Sequence, residues 1–299
     1  MIRFSSLSKR YGAHSALEDV SLEVAPGEVV ALLGPNGSGK TTSLKIAAGL
    51  VHPSSGEVWV GEPPRRTSEP AARAAISFLP QKVAFPESLT GREVLAFYGR
   101  LRDAPAGRAE QVLRVAALNG AGARAVGTYS GGMVQRLGLA VAALADASVL
   151  LLDEPTAALD PEGLRAFYEF AAGRRDRRGT VLFTSHQLGD VERLADRFAV
   201  LVEGRLVAEL TGRELAQRLA ARGSMRVATG PVTVQARERV AAAVAGAGWE
   251  GDDLLVRCSP AQRPEILALL AREGIEARTL VTEEGRLDAL YQELVGGRG

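Results

Sequence analysis

Val29-Val30-Ala31-Leu32-Leu33-Gly34-Pro35-Asn36-Gly37-Ser38-Gly39-Lys40-Thr41 is the stretch that decides the fold. Five apolar residues read as a buried strand, three glycines follow at Gly34, Gly37 and Gly39, and the pattern from Thr41 to Gly49 is helical. A strand that runs through a glycine loop into a helix start is a phosphate cradle. Its glycines let the loop Gly34-Pro35-Asn36-Gly37-Ser38-Gly39 turn its backbone N–H groups inward, Pro35 alone having none to give, and the helix N-terminus adds partial positive charge. Lys40 is placed for the β and γ phosphates, and the Thr41 hydroxyl, with Thr42 beside it, for Mg²⁺. Alone, the loop leaves kinases, GTPases and ATPases open.

A second apolar run, Val149-Leu150-Leu151-Leu152, ends in Asp153-Glu154. Two acids at the carboxyl end of a buried strand stand where ligands bind in open α/β sheets. Asp153 is read as a Mg²⁺ ligand through water and Glu154 as the general base for an attacking water. The competing reading is an acid pair at a helix start, stabilised by the helix dipole. Between loop and acids lies Tyr129-Ser130-Gly131-Gly132-Met133-Val134-Gln135-Arg136. There Ser130 and the amides of Gly131 and Gly132 open a helix, which makes a second anion site with no phosphate of its own.

The chain has 299 residues, 36 Lys and Arg against 35 Asp and Glu, and a net charge of +1, so bulk charge argues neither for nucleic acid nor for an anionic bilayer. Its single Cys258 excludes an intramolecular disulfide and reads as a small buried apolar residue. Met1-Ile2-Arg3-Phe4 begins in a strand pattern without a secretory leader, and no apolar run reaches a membrane span. A cytoplasmic protein is expected, with any membrane helices supplied by other subunits.

Strand patterns at Ile2–Leu7, Leu17–Val24, Glu57–Val60, Ala75–Leu79, Val181–Ser185 and Phe198–Val202 alternate with helices, which predicts a mainly parallel sheet. A helical block is inserted over about residues 82–145. The pattern changes near Arg222-Gly223-Ser224. From this we expect a domain at 1–220 and a small α+β domain at 225–299, the latter with a helix over Ala236–Ala247. Arg174-Arg175-Asp176-Arg177-Arg178 reads as a solvated helix end, and His14 and His52 as solvated loop residues.

Taken together these motifs resemble the nucleotide-binding subunits of ATP-binding-cassette proteins over residues 1 to about 220. Six elements occur in that family's order: Tyr11, the glycine loop, Gln81, the Ser130 signature, the acid pair, and Ala158-Leu159-Asp160 followed by His186. The resemblance implies a P-loop NTPase fold, ATP and Mg²⁺ as cofactors, and ATP hydrolysis. It also implies that Tyr11 stacks on adenine, Gln81 touches metal and lytic water, Asp160 lies by the nucleotide and His186 meets the γ-phosphate. Ser130 and Gly131 then clamp the γ-phosphate held by a second copy of the chain, so that two copies close around ATP.

Tyr129 and Met133 depart from the commonest signature, which has leucine and glutamine there, and look like the branch that serves ABC-2-type membrane subunits. The tail Leu287-Asp288-Ala289-Leu290-Tyr291 is similar to that branch's C-terminus. Transmembrane permease subunits at the inner face of the cell membrane are the implied partners, resting on residues 82–128 with Phe85, Leu89, Phe97 and Tyr98 as candidate contacts. Phe78-Leu79-Pro80-Gln81, Leu89–Glu93 and Gln135–Ala140 also resemble the ATPase of the copper-processing transporter that matures nitrous oxide reductase. The alternative class is a soluble cassette ATPase of DNA repair or translation; the single cassette and the short interval from Lys40 to Ser130 argue against it.

Overall fold

The computed structural model describes residues 1–118, 120–185, 193–283, 285 and 287–296. The chain divides into two compact units, Met1–Gly212 and Arg213–Gly299.

In the first unit β3 (Val29–Leu33), β6 (Ile76–Leu79), β7 (Val149–Leu152), β8 (Thr180–Thr184) and β9 (Arg197–Val202) form a parallel array. With β10 (Arg205–Thr211) antiparallel at one edge, the order is β10-β9-β3-β8-β7-β6. Every residue of β3, β7 and β8 is buried, the condition of a parallel sheet covered on both faces. Strand β10 is absent from the sequence reading. Its hairpin turns on Glu203-Gly204, both with positive φ, a turn less legible than Asn-Gly.

The opening strands do not join this array. β1 (Ile2–Tyr11), β2 (His14–Val24), β4 (Ser55–Val60) and β5 (Arg65–Arg66) make a separate antiparallel sheet in the order β2-β1-β4-β5. Burial alternates along β2, so only one face is covered. That face packs Phe4, Leu22 and Val58 into the same core as Val30, Leu32 and Leu151 of the parallel sheet and Leu44 and Ile46 of α1 (Lys40–Ala47).

The inserted block contains α3 (Gly91–Leu101), α4 (Arg108–Val115) and α5 (Gly131–Leu144), counted after the short α2 (Pro70–Ala74). Its core joins Leu95, Leu113 and Leu137. Phe85, Leu89 and Tyr98 pack against that core, whereas Phe97 is exposed. Helix α6 (Pro161–Asp176) follows the acid pair. Its C-terminal arginines are not uniformly solvated: Arg175, Arg177 and Arg178 are exposed, but Arg174 is buried and reaches Asp146 at 3.2 Å.

The second unit carries α7 (Gly212–Ala220) almost entirely, a helix that the sequence reading places with the first domain. Its antiparallel sheet runs β12 (Ala247–Glu250), β13 (Asp253–Arg257), β11 (Ser224–Thr229), β14 (Ala277–Glu283). Val227, Leu254 and Val256 meet Val240 of α8 (Val234–Ala243) and Leu270 of α9 (Arg263–Arg272) in its core, where Cys258 is also buried. The helix expected to reach Ala247 stops at Ala243, because Gly246 takes positive φ and turns the chain into β12.

At the start of α3 the Thr90 hydroxyl accepts from Glu93 N–H at 3.2 Å while Glu93 accepts from Thr90 N–H at 2.7 Å. This reciprocal cap satisfies two amides that the helix leaves unpaired, and the bonds that the Glu93 carboxyl accepts from the Thr90 N–H and the Thr90 hydroxyl hold it below its ordinary value. Thr90→Ala is expected to cost about 1 kcal/mol, read as a lower urea midpoint at unchanged m-value.

Candidate functional site

Two glycines make the loop geometry obligatory. A Cβ on Gly34 (φ 151°) would lie 2.0 Å from Leu201 O, and one on Gly39 (φ 102°) 2.5 Å from Ala16 O. Gly39 is also the N-cap of α1 and supplies no side-chain cap, so the first amides of that helix are left for a ligand.

Lys40 is buried, and its Nζ donates to Gly34 O at 2.7 Å and to Pro35 O at 3.0 Å. Burial pushes the ammonium below its ordinary value, while Glu154 and then Asp153 pull it back up. Beside it the acid pair is held by hydroxyls. Asp153 Oδ1 accepts from Thr41 Oγ1 at 3.1 Å and from Thr184 Oγ1 at 2.8 Å, and the Thr184 hydroxyl in turn accepts from Glu154 N–H at 2.8 Å. Glu154 has φ 49°, a left-handed conformation that costs a non-glycine residue about 1–2 kcal/mol, and its amide bond to Thr184 helps to hold it there. Loop, acids and the end of β8 therefore form one connected constellation.

A cleft of about 510 Å³ opens over it, lined by Tyr11, Asn36, Lys40, Thr42, Gln81 and Glu154 among others. Tyr11 is half exposed, with Lys9 Nζ 4.8 Å from its ring centre. His14, expected in a solvated loop, instead opens β2 opposite Tyr11 and lines the cleft. His52 stays in a loop, where its carbonyl accepts from Lys9 Nζ at 2.8 Å. His186 lies outside the described residues.

Ser130, Gly131 and Gly132 do not line that cleft. They sit at the start of α5, where the Ser130 hydroxyl accepts from Met133 N–H at 3.3 Å. A Cβ on Gly132 would come 2.9 Å from Ala158 O, so the signature packs on the segment that follows the acids. Asp160 caps α6 by accepting from Gly163 N–H at 2.9 Å, and its other oxygen meets Arg136 at 3.4 Å. Tyr129, the unusual signature residue, donates its hydroxyl to Ala121 O at 2.8 Å within the helical block.

Comparison with known proteins completes the assignment. A family model described as ABC transporter matches residues 17–157. The daunorubicin resistance ATP-binding protein DrrA3 of Streptomyces coeruleorubidus is 34% identical over 99% of this chain and 96% of its own length. The chain belongs to the ATP-binding subunits of ABC transporters. The Nod factor export ATP-binding protein I of Burkholderia orbicola is 41% identical over 70% of each chain. Among solved structures, the ATP-binding subunit of an ABC transporter superposes with TM-score 0.67 at 28% identity, covering 73% of this chain and 92% of that one. A dimeric ATP-binding cassette, MJ0796, in a post-hydrolysis state with ADP and Pi, gives 0.64 at 26% identity, covering 71% and 99%. This ABC subunit is accordingly an ATPase, and the residues matched by the family model lie within the first unit described above.

Thr184 escaped the sequence reading, and Arg136 is quoted there as the last residue of the signature stretch without a role. Both are buried polar residues tied to motif residues, and the signal was position: Thr184 ends an apolar strand, and Arg136 closes the signature stretch. Thr184→Val keeps the shape of the side chain but strands the Glu154 amide and removes one donor from Asp153. We expect turnover to fall at least about ten-fold, since about 1.4 kcal/mol is a factor of ten and an unsatisfied buried group costs about 1–3 kcal/mol. ATP affinity should change little, as measured by steady-state hydrolysis beside equilibrium titration of nucleotide.

Proposed function

We infer that this subunit drives an ABC-2-type exporter as a pair of copies sharing two ATP. The observation that carries the reading is the separation of half-sites. Lys40, Thr41 and Glu154 line one cleft, with Asp153 bonded to Thr41 behind them, while the Ser130 helix start, an anion site by its own chemistry, lies outside that cleft. The dimeric structural relative supports the same arrangement.

In this reading Lys40 leaves the carbonyls of Gly34 and Pro35 for the β and γ phosphates, the loop amides from Gly34 to Gly39 hold phosphate oxygens, and Tyr11 stacks on the base. Glu154 takes the proton of the attacking water, with Gln81 and His186 as its companions at the γ-phosphate. Thr41 Oγ1 and Asp153 Oδ1, 3.1 Å apart, are hard oxygen donors that fit Mg²⁺, with Gln81 at the cleft's edge. When bound, the ion neutralises phosphate charge. Ser130, Gly131 and Gly132 of one copy, with Asp160 nearby, complete the site of the other.

The membrane partner rests beside the helical block. A cleft of about 640 Å³ is rimmed by Leu50 and Leu101, which are 62% and 63% exposed, and the exposed Phe97 lies one turn before Leu101. Among the described residues no helix is long and apolar enough to cross a membrane, so the spanning helices belong to the partner and the subunit lies at the inner face of the cell membrane. Relatives named for drug resistance and Nod factor export favour outward transport of a small organic cargo. Copper maturation is the weaker reading, because the stretches behind it lie at the nucleotide or in the helical block rather than at any cargo.

Glu154→Gln is expected to retain ATP binding, nearly abolish turnover and accumulate an ATP-bound dimer, whereas Lys40→Ala loses nucleotide binding; size-exclusion with light scattering in Mg-ATP separates the two. A Glu154→Gln variant that hydrolyses ATP normally sinks the base assignment. Leu101→Glu should leave basal turnover of the isolated subunit intact and abolish co-purification with its polytopic partner.

A further inference from the structure

A second cavity, of about 270 Å³, lies away from the nucleotide cleft, between α4 of the helical block and α6 of the core. Among the described residues it gathers five arginines, Arg108, Arg114, Arg165, Arg174 and Arg177, against two carboxylates, Glu162 and Glu169. Glu162 is already engaged by Arg136 at 3.2 Å. Arg165, Glu169 and Arg174 on α6, and Arg177 at its C-cap, line the cavity with Arg108 and Arg114 of α4.

The charge is under-compensated. Arg174 is 6% exposed, and its carboxylate partner Asp146 is a surface residue, 83% exposed, that is not part of the cavity lining. Arg108 spends its two terminal nitrogens on Gln111 Oε1 at 2.8 Å and Ala143 O at 2.7 Å. Among the described residues Arg114, Arg165 and Arg177 have no carboxylate within ion-pair distance. Burial holds the Arg174 guanidinium below its ordinary value; Asp146 opposes this, but Arg108 and Arg177 add repulsion. The buried Arg174, with Arg108 and Arg177 acting on it, is unfavourable without an anion, the exposed Arg114 and Arg165 add positive charge at the cavity's rim, and planar guanidinium forks match phosphate oxygens in pairs.

Space has been left for a ligand. Gly173 lines the cavity inside α6, and a Cβ there would meet nothing within 4 Å. Glycine costs a helix roughly 0.5–1 kcal/mol against alanine, and at this position it leaves that part of the cavity wall without a side chain. Val112, Ala166 and Phe170 supply an apolar wall beside the guanidiniums.

We propose that this cavity binds a small phosphate-bearing molecule, the phosphate on the arginine cluster and a short apolar body against Phe170. A free phosphate compound and an anionic lipid headgroup share that chemistry. A molecule held there touches α4 on one side and α6 on the other.

The test uses the full chain saturated with Mg-ADP, so that the Gly34–Thr41 loop is occupied, and titrates pyrophosphate by calorimetry. One further site per chain is expected. The double variant Arg165→Gln/Arg177→Gln and the cavity-filling Gly173→Leu should each weaken it at least ten-fold at unchanged ADP affinity. In parallel, flotation with vesicles containing phosphatidylglycerol, against neutral vesicles, assigns the source: uptake by anionic vesicles that the same variants abolish identifies the headgroup, and pyrophosphate binding alone identifies the free compound. Failure of both ligands once Mg-ADP is saturating, or binding that the variants leave unaltered, overturns the proposal. Failure to bind ADP would speak against the nucleotide reading instead, and so is told apart.

Discussion

A single carboxylate oxygen organises the catalytic end of the cassette. Asp153 Oδ1 receives the hydroxyls of Thr41 and Thr184, and through Thr184 it is linked to the amide of Glu154. Three segments distant in sequence, the start of α1, the end of β7 and the end of β8, are thereby held to hydrogen-bond tolerance. The arrangement answers an energetic problem: Asp153 is 2% exposed, and an ionised carboxylate at that depth is tolerated only when its lone pairs are satisfied. Lys40, folded onto two loop carbonyls, is the matching cation, and the one proposed to take the phosphates. A triphosphate entering the cleft would meet charges and amides already in position, so binding would give a counter-charge to a lysine that folding has already desolvated.

The parallel array follows from the same demand. Brought together by β3, β7 and β8, the loop and the acids lie at the carboxyl ends of buried strands, where side chains and amides can face a ligand without interrupting the sheet. The antiparallel sheet at the start of the chain has a different task. It covers α1 from the far side and carries Tyr11 and His14 to the cleft on the turn between β1 and β2.

Much of this was legible because the decisive elements are local. Val29–Leu33 and Val149–Leu152 are apolar runs that only a fully buried strand explains, and each ends in residues whose chemistry names its ligand. What escaped was long-range or single-residue in origin. Whether β1, β2 and β4 join the parallel array is a matter of pairing partners, which strand patterns do not encode, although alternation along β2 was the sign of a one-faced sheet. The hairpin to β10 depends on Glu203 accepting positive φ, and the break before β12 on Gly246 doing so. The burial of Arg174 depends on Asp146, nearly thirty residues earlier. Thr184 looked like an ordinary strand end until Asp153 was seen beside it.

Between cleft and helical block the connection is a buried arginine. Arg136, less than two turns after Ser130 in α5, reaches Ala117 O in the helical block at 3.1 Å and both Asp160 and Glu162 at the start of α6. Gly132 presses on Ala158 with no room for a side chain. The signature and the residues that follow Glu154 therefore make one packed unit, anchored by charge-assisted bonds that are individually about twice as strong as neutral ones. If a phosphate on a second copy draws Ser130 toward it, Ala158–Glu162 must follow, because the alternative leaves a buried guanidinium without its acceptors, at several kcal/mol. On the proposed reading event and response are then joined by contact: Glu154, proposed as the base, and Ala158–Glu162, which would follow the other copy, lie on the same short stretch of chain.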